Sequence, residues 1–264
     1  QEAQTQVQAL ERLNWLKDDF LSTVSHELRT PVSNIKMASR MLEIALNQVE
    51  GLSGAEASAS GPQAKAMQYL QILKTECDRE ISLINDLLDL QRLEAGKRNL
   101  AVDSIDVGDW LSQVIQPFQE RAQARQQTLD LELPAQLPIL SSDPSALERI
   151  LSELLNNACK YTPPGEHIVV RVEAEPGSMR FIISNSGAEI PALELARIFD
   201  KFYRVPNGDP WKQGGTGLGL ALVQKLAQHL GGSIQAASDA NHTTFTVDVA
   251  NVEALATDAA SAAQ

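Results

Sequence analysis

Ser25-His26-Glu27-Leu28-Arg29-Thr30-Pro31 is the stretch from which the rest of the chain is read. It lies inside a helical pattern that begins near Glu11. Leu10, Leu13, Leu16 (or Phe20), Val24 and Leu28 recur in steps of three or four. Positions i and i+4 share a helix face, so His26 and Thr30 look out on one patch. Glu27 lies about 100° around the helix, within reach of the imidazole. A carboxylate bonded to one ring nitrogen fixes the tautomer and makes the other nitrogen the better nucleophile. Pro31 removes a backbone donor and loosens or bends the helix just past the site. Taken alone, the stretch does not separate a reactive histidine from one that packs or faces water.

The helical pattern runs on through Ile35, Met37, Met41, Leu42 and Ala45. Residues 51–62 are small and Gly/Ser-rich, a flexible connection. A second helical pattern carries Tyr69, Ile72, Leu73, Ile81, Ile84 and Leu88. It ends near Ala95, with Gly96 as C-cap. Two such helices predict an antiparallel hairpin with a wide apolar stripe. Pairing with a second copy buries that stripe in a four-helix bundle, so residues 10–95 are expected to make a homodimer. Packing of the hairpin on the chain's own second domain is the alternative.

The 264 residues suit two domains, and 43% hydrophobic content suffices for a core. A formal charge of −12 argues against a nucleic-acid partner. Cys77 and Cys159 lack metal-ligand spacing and read as small buried apolar residues, as suits a reducing compartment. No apolar run reaches bilayer length, and no signal peptide is visible. No membrane contact is therefore expected of this fragment, and a cytoplasmic location is. The first residue is Gln1 rather than Met. The chain is read as a piece of a longer protein whose N-terminal part holds a sensor or a membrane anchor.

Past Gly96 the pattern changes. Leu100 to Val107 predicts a short strand, 107–125 a helix, and Leu129–Leu133 a half-buried strand. Ser142-Asp143-Pro144 starts a helix that runs to about Lys160. Strands follow at 167–174, 178–185 and 242–250, and a helix at about 216–231. The expectation is an α/β sandwich over 96–250, helices covering one face of a mixed sheet. The Ala/Asp/Ser-rich residues 251–264 read as a disordered tail.

Four stretches of this half suggest nucleotide chemistry. In Glu153-Leu154-Leu155-Asn156-Asn157-Ala158-Cys159-Lys160-Tyr161, one helix face carries Glu153, Asn157 and Lys160 or Tyr161. Oxygen ligands suit magnesium and an ammonium suits phosphate; a plain wet face would look the same. In Ile183-Ser184-Asn185-Ser186-Gly187-Ala188-Glu189-Ile190-Pro191, Gly187 permits close backbone approach, and the Asn185 oxygen can accept from an exocyclic amine. An ordinary turn after a strand is the alternative. In Ile198-Phe199-Asp200-Lys201-Phe202-Tyr203-Arg204, Phe199 and Phe202 read as loop anchors and Arg204 as a phosphate contact. Gly214-Gly215-Thr216-Gly217-Leu218-Gly219-Leu220 puts glycine amides before a helix N-terminus. It has neither the preceding strand of a dinucleotide fold nor P-loop spacing. Residues 204–215 read as a lid over a nucleotide.

Together the stretches resemble the sensor histidine kinases of two-component systems, over about residues 10–250. SHELRTP matches the family's phosphoacceptor box, ELLNNACKYT the asparagine box and SNSGAEIP the first glycine box. IFDKFYR matches the phenylalanine box and GGTGLGL the second glycine box, all in the family's order. The resemblance implies a helical hairpin followed by an ATP-binding α/β sandwich. It implies ATP and Mg2+ as cofactors and the receiver domain of a response regulator as partner. His26 would be the phosphorylated nucleophile, Glu27 its base, and Thr30 the residue that positions water in the reverse, phosphatase, reaction. Asn157 would ligate magnesium with Glu153 nearby, Lys160 would hold a phosphate and Tyr161 would flank the adenine. Asn185, Gly187, Ile190, Arg204, Gly215, Thr216, Gly217, Leu218 and Gly219 complete the expected nucleotide contacts.

Three positions depart from the family's pattern. Asn185 stands where Asp is usual, Glu189 where a second Gly is common, and Glu153 where Asn is frequent. Asn185 keeps an acceptor oxygen but loses the charge that would strengthen a bond to the adenine amine. Glu189 must point away from the phosphates. A catalytically weak dimeric scaffold is the alternative that these departures leave standing.

Overall fold

The computed structural model describes residues 32–44, 62–96, 99–206 and 216–252. The chain divides into two compact units, 1–85 and 86–264.

In the first unit, residues 32–44 are helical (α1), and α2 spans Pro62–Glu94, its last turns belonging to the second unit. Asn34 Nδ2 donates to Glu76 Oε1 across the two helices at 3.4 Å. Ala38 and Leu83 are buried, whereas Met37, Met41, Ile44, Met67, Leu70, Ile81 and Ile84 are exposed. Cys77 is exposed too, which corrects the expectation that both cysteines are buried; Cys159 is. α2 stops where expected. Gly96 takes φ +62° and its amide donates to the Leu93 carbonyl, a left-handed ending that costs glycine nothing.

The second unit is built on a five-stranded mixed sheet in the order β2-β4-β5-β7-β6. The strands are β2 (Thr128–Glu132), β4 (His167–Glu175), β5 (Ser178–Ser186), β6 (Ser233–Asp239) and β7 (His242–Ala250). β2 runs parallel to β4 and every other neighbour is antiparallel. Side chains alternate across a strand, so one face collects Ile168, Val170, Val172, Met179, Phe181, Ile183, Phe245, Val247 and Val249, all buried. Helices α3 (Val107–Ala124), α4 (Pro144–Tyr161) and α6 (Gly219–His229) bring their own apolar faces to the same core. The architecture is the expected α/β sandwich.

Each helix start has a local cause. Asp106 caps α3, accepting from the amides of Gly108 (3.1 Å) and Asp109 (3.4 Å). Asp143 caps α4 through the amides of Ser145 and Ala146, both 3.0 Å, with Pro144 at the first turn. Four elements differ from expectation. The strand expected over 100–107 is only β1 (Asp103–Ile105). It pairs with β3 (Leu140–Ser142), which was not expected; only its last residue, Ser142, reads in sequence as part of a helix start. β6 was not expected, because its Ser, Gln and Ala residues give no alternation of large side chains. The short helix α5 (Ala192–Leu195) was not expected either. Asn251, assigned to the tail, donates to the Ile139 carbonyl and accepts from the Ser141 amide, so order continues past β7.

Candidate nucleotide site

α4 supplies one wall. Leu154, Leu155, Ala158 and Cys159 are buried, while Glu153, Asn156, Asn157 and Lys160 are half-exposed on the opposite stripe. Burial pushes the Glu153 carboxyl above its usual range, and the neighbouring Arg149 guanidinium pulls it back in part. Arg149 reaches Glu153 at 3.0 Å, one helical turn along. Arg121 of α3 donates to Asn156 Oδ1 at 2.6 Å. At the end of α4, Lys160 Nζ donates to the Tyr161 hydroxyl (2.9 Å), and Tyr161 is exposed. Buried Gln127 holds that end, its amide donating to the carbonyls of Cys159 (3.1 Å) and Thr162.

The head of α6 supplies a second wall. A Cβ placed on Gly219 would stand 2.5 Å from Glu153 Oε2, so the bare glycine lets the helix start against that carboxylate where it lies, and a side chain there would push the carboxylate aside. Gly217 has φ +71°, and a Cβ there would come within 2.7 Å of the Phe202 carbonyl carbon. The Gly217 carbonyl accepts from the Phe202 amide at 2.9 Å, locking the phenylalanine box to the glycine segment. Thr216 Oγ1 accepts from the Leu218 amide (3.3 Å), and the Leu218 side chain is fully buried as an anchor. The helix expected from 216 begins only at Gly219.

The end of β5 supplies the third group. Asn185 is 5% exposed, and its Nδ2 has no hydrogen-bond partner among the described residues. A buried amide left unpaired is costly, and its two ends exchange by a flip, so this position calls for a polar ligand atom. Gly187 has φ +78° and seats against Pro163, where a Cβ would lie 2.5 Å from Cδ. The Ile190 amide donates to Ser238 Oγ at 2.8 Å. Glu189 and Arg204 are exposed.

The structure thus brings Glu153 to Gly219, and Gly217 to Phe202. His26, Glu27, Thr30 and Gly215, and the lid residues 207–215, lie outside the described residues. Sequence reasoning missed Arg149, whose i, i+4 spacing to Glu153 was readable. It also missed Gln127, for which no local signal exists. Among the described residues no group of three or more His, Cys, Asp or Glu side chains gathers as a metal cage.

A mixed sheet covered on one face by helices, with a glycine segment closing on an acid–amide helix stripe, defines a nucleotide-binding ATPase-type domain. Residues 142–252 match the family model of histidine kinase-, DNA gyrase B- and HSP90-like ATPases, and residues 16–96 that of the His Kinase A phospho-acceptor domain. The circadian input-output histidine kinase CikA of Synechococcus elongatus is 36% identical over 239 residues, covering 89% of this chain and 30% of that protein. The solved structure of full-length ShkA in complex with AMPPNP shares 26% identity, with a TM-score of 0.63, covering 89% of this chain and 46% of that one. Histidine kinase ThkA, solved in complex with the response regulator TrrA, has the same fold (TM-score 0.64, 20% identity, covering 92% of this chain and 64% of that one). The chain belongs to the sensor histidine kinases of two-component systems. It spans less than half the length of the curated relatives it matches. No helix among the described residues is long and apolar enough to cross a membrane.

Proposed function

We propose that this chain is the kinase core of a sensor protein. It phosphorylates His26 from ATP, passes the phosphoryl group to an aspartate of a response-regulator receiver domain, and can dephosphorylate that regulator. Residues 10–95 form the dimerisation and phosphotransfer part, residues 96–250 bind ATP, and the core works in the cytoplasm as a homodimer. The seating of Gly219 and Gly217 against Glu153 and Phe202, together with a buried Asn185 whose Nδ2 has no hydrogen-bond partner among the described residues, carries the reading. That cradle fits an adenine nucleotide.

A ring nitrogen of His26 attacks the γ-phosphorus in line, a P–N bond forms, and the bond to the ADP oxygen breaks. Glu27 takes the proton from the imidazole. Asn157, with Glu153 beside it, would hold Mg2+; Lys160 and Arg204 bind the phosphates, and Asn185 and Tyr161 the adenine. When bound, the metal neutralises charge on the phosphate oxygens, and it needs few protein oxygens because it keeps several waters. In the second step an aspartate oxygen of the regulator attacks the phosphorus and the P–N bond breaks. In the reverse role, Thr30 positions the water that hydrolyses the regulator's acyl phosphate.

The test is incubation with γ-labelled ATP and Mg2+. The expected product is alkali-stable, acid-labile label, absent in His26→Gln while nucleotide binding persists. Acid-labile label retained in that variant would overturn the assignment of His26. A folded protein that binds no nucleotide would leave the scaffold reading in its place.

A further inference from the structure

The last turns of α2, within the second unit, carry Asp86, Leu90 and Glu94 at i, i+4 and i+8, one stripe on one helix face. Leu90 is buried at 2% exposure. On either side of it the acids form ion pairs, Asp86 with Arg149 of α4 and Glu94 with Lys201 at 2.7 Å. The two pairs differ. Glu94 and Lys201 are both more than a third exposed, whereas the Asp86 side chain is nearly buried. Arg149 is shared, for the same guanidinium also reaches Glu153 at 3.0 Å. Glu153 in turn stands against Gly219, at the head of the glycine segment.

Two carboxylates therefore draw on one guanidinium nitrogen, Arg149 Nη2. An arginine with a single carboxylate partner frequently closes on it with two parallel hydrogen bonds. We propose that Asp86 is a positioning residue for the kinase reaction: by holding Arg149 toward α2, it prevents a closed Arg149–Glu153 pair and leaves the Glu153 carboxylate available beside the metal–phosphate group. This rests on the placement of Glu153 next to Mg2+ proposed above. Asp86 touches neither metal nor nucleotide; it acts through Arg149.

The inference predicts opposite effects from two substitutions on one ion-pair chain. Asp86→Asn releases Arg149 to Glu153, so Mg2+ competes with a full ion pair. Arg149→Gln removes the competitor. The measurement is calorimetric binding of AMPPNP to the intact chain with and without Mg2+, read as the dissociation constant without Mg2+ divided by that with Mg2+. Outer ligands of metal sites typically change affinity by tenfold or more. The ratio is expected to fall by about tenfold in Asp86→Asn and to hold or rise in Arg149→Gln. Glu94→Gln cuts the other ion pair of the stripe without touching Arg149 and should leave the ratio at the wild-type value. Thermal unfolding of each variant separates a loss of fold from a loss of metal coupling, since misfolding would weaken binding under both conditions. An unchanged ratio in Asp86→Asn overturns the inference while the nucleotide reading stands. So does an equal fall in Glu94→Gln, which would assign the effect to helix docking. Wild-type binding that ignores Mg2+ would sink the metal reading and this inference together.

Discussion

Asp86 is a carboxylate that the fold pays to bury, and the cost should be visible as a pH dependence. Its carboxyl is raised from 3.8 to about 6, first by burial and then by the Glu153 and Asp89 charges, against the opposing pull of Arg149. The unfolded chain loses this proton near pH 4 and the folded chain only near pH 6. Between those values the folded state binds more protons, so its stability falls as pH rises through that window and stays lower above it. The interval corresponds to about 3 kcal/mol at 1.4 kcal/mol per pH unit, an upper bound if the end of α2 can lift away locally. In Asp86→Asn the step is absent. Urea unfolding of both proteins from pH 4 to pH 7.5 should show the variant gaining on the wild type by about 1–3 kcal/mol. Carboxyl-detected NMR titration reads the group directly. A constant difference between the two curves, or titration of Asp86 at or below pH 4, would refute the reasoning.

Gly217→Ala should cost about 1–3 kcal/mol in backbone strain at φ +71°, add a clash with Phe202, and weaken AMPPNP binding. Gly165→Ala, at φ +88° with open space around it, bears strain alone and should leave binding at the wild-type level. Gln127→Ala strands the carbonyls of Cys159 and Thr162 and should lower stability in urea by about 1–3 kcal/mol. Asn185→Asp replaces a neutral acceptor by a charged one. It should tighten nucleotide binding by about 1 kcal/mol, roughly fivefold, in calorimetry; unchanged affinity would remove Asn185 from the adenine contacts.

Legibility in the sequence followed side-chain size. β4, β5 and β7 were readable because Val, Ile, Met and Phe alternate with polar residues, and a buried face enforces that period. α4 was readable because its Leu and Ile residues recur at helical spacing and Asp143-Pro144 marks its start. β6 was not, since an edge strand tolerates small residues and Ile234 is its one large apolar side chain. β1 and β3 are too short for any period to register. In the site, the stripe of Glu153, Asn157 and Lys160 was legible from spacing. Asp86 was not: an aspartate in a polar helix looks solvated until its partner, Arg149 of a later helix, is known. Cys77 misled for the related reason that residue type alone does not say which side of a helix is covered.

The pairing of β5 with β7 sets Ser186 opposite His242. Everything between them is one closed loop: α5, the phenylalanine box, the glycine segment, α6 and β6. β6 and β7 meet at a tight turn through Ala240 and Asn241, both at positive φ, and β4 and β5 at Gly177. Such hairpins form fast, whereas closure of the long loop must wait for distant strands to meet. The entropy of closing a loop grows only with the logarithm of its length, about 0.6 kcal/mol per doubling. Insertions between the phenylalanine box and Thr216 thus burden folding very little.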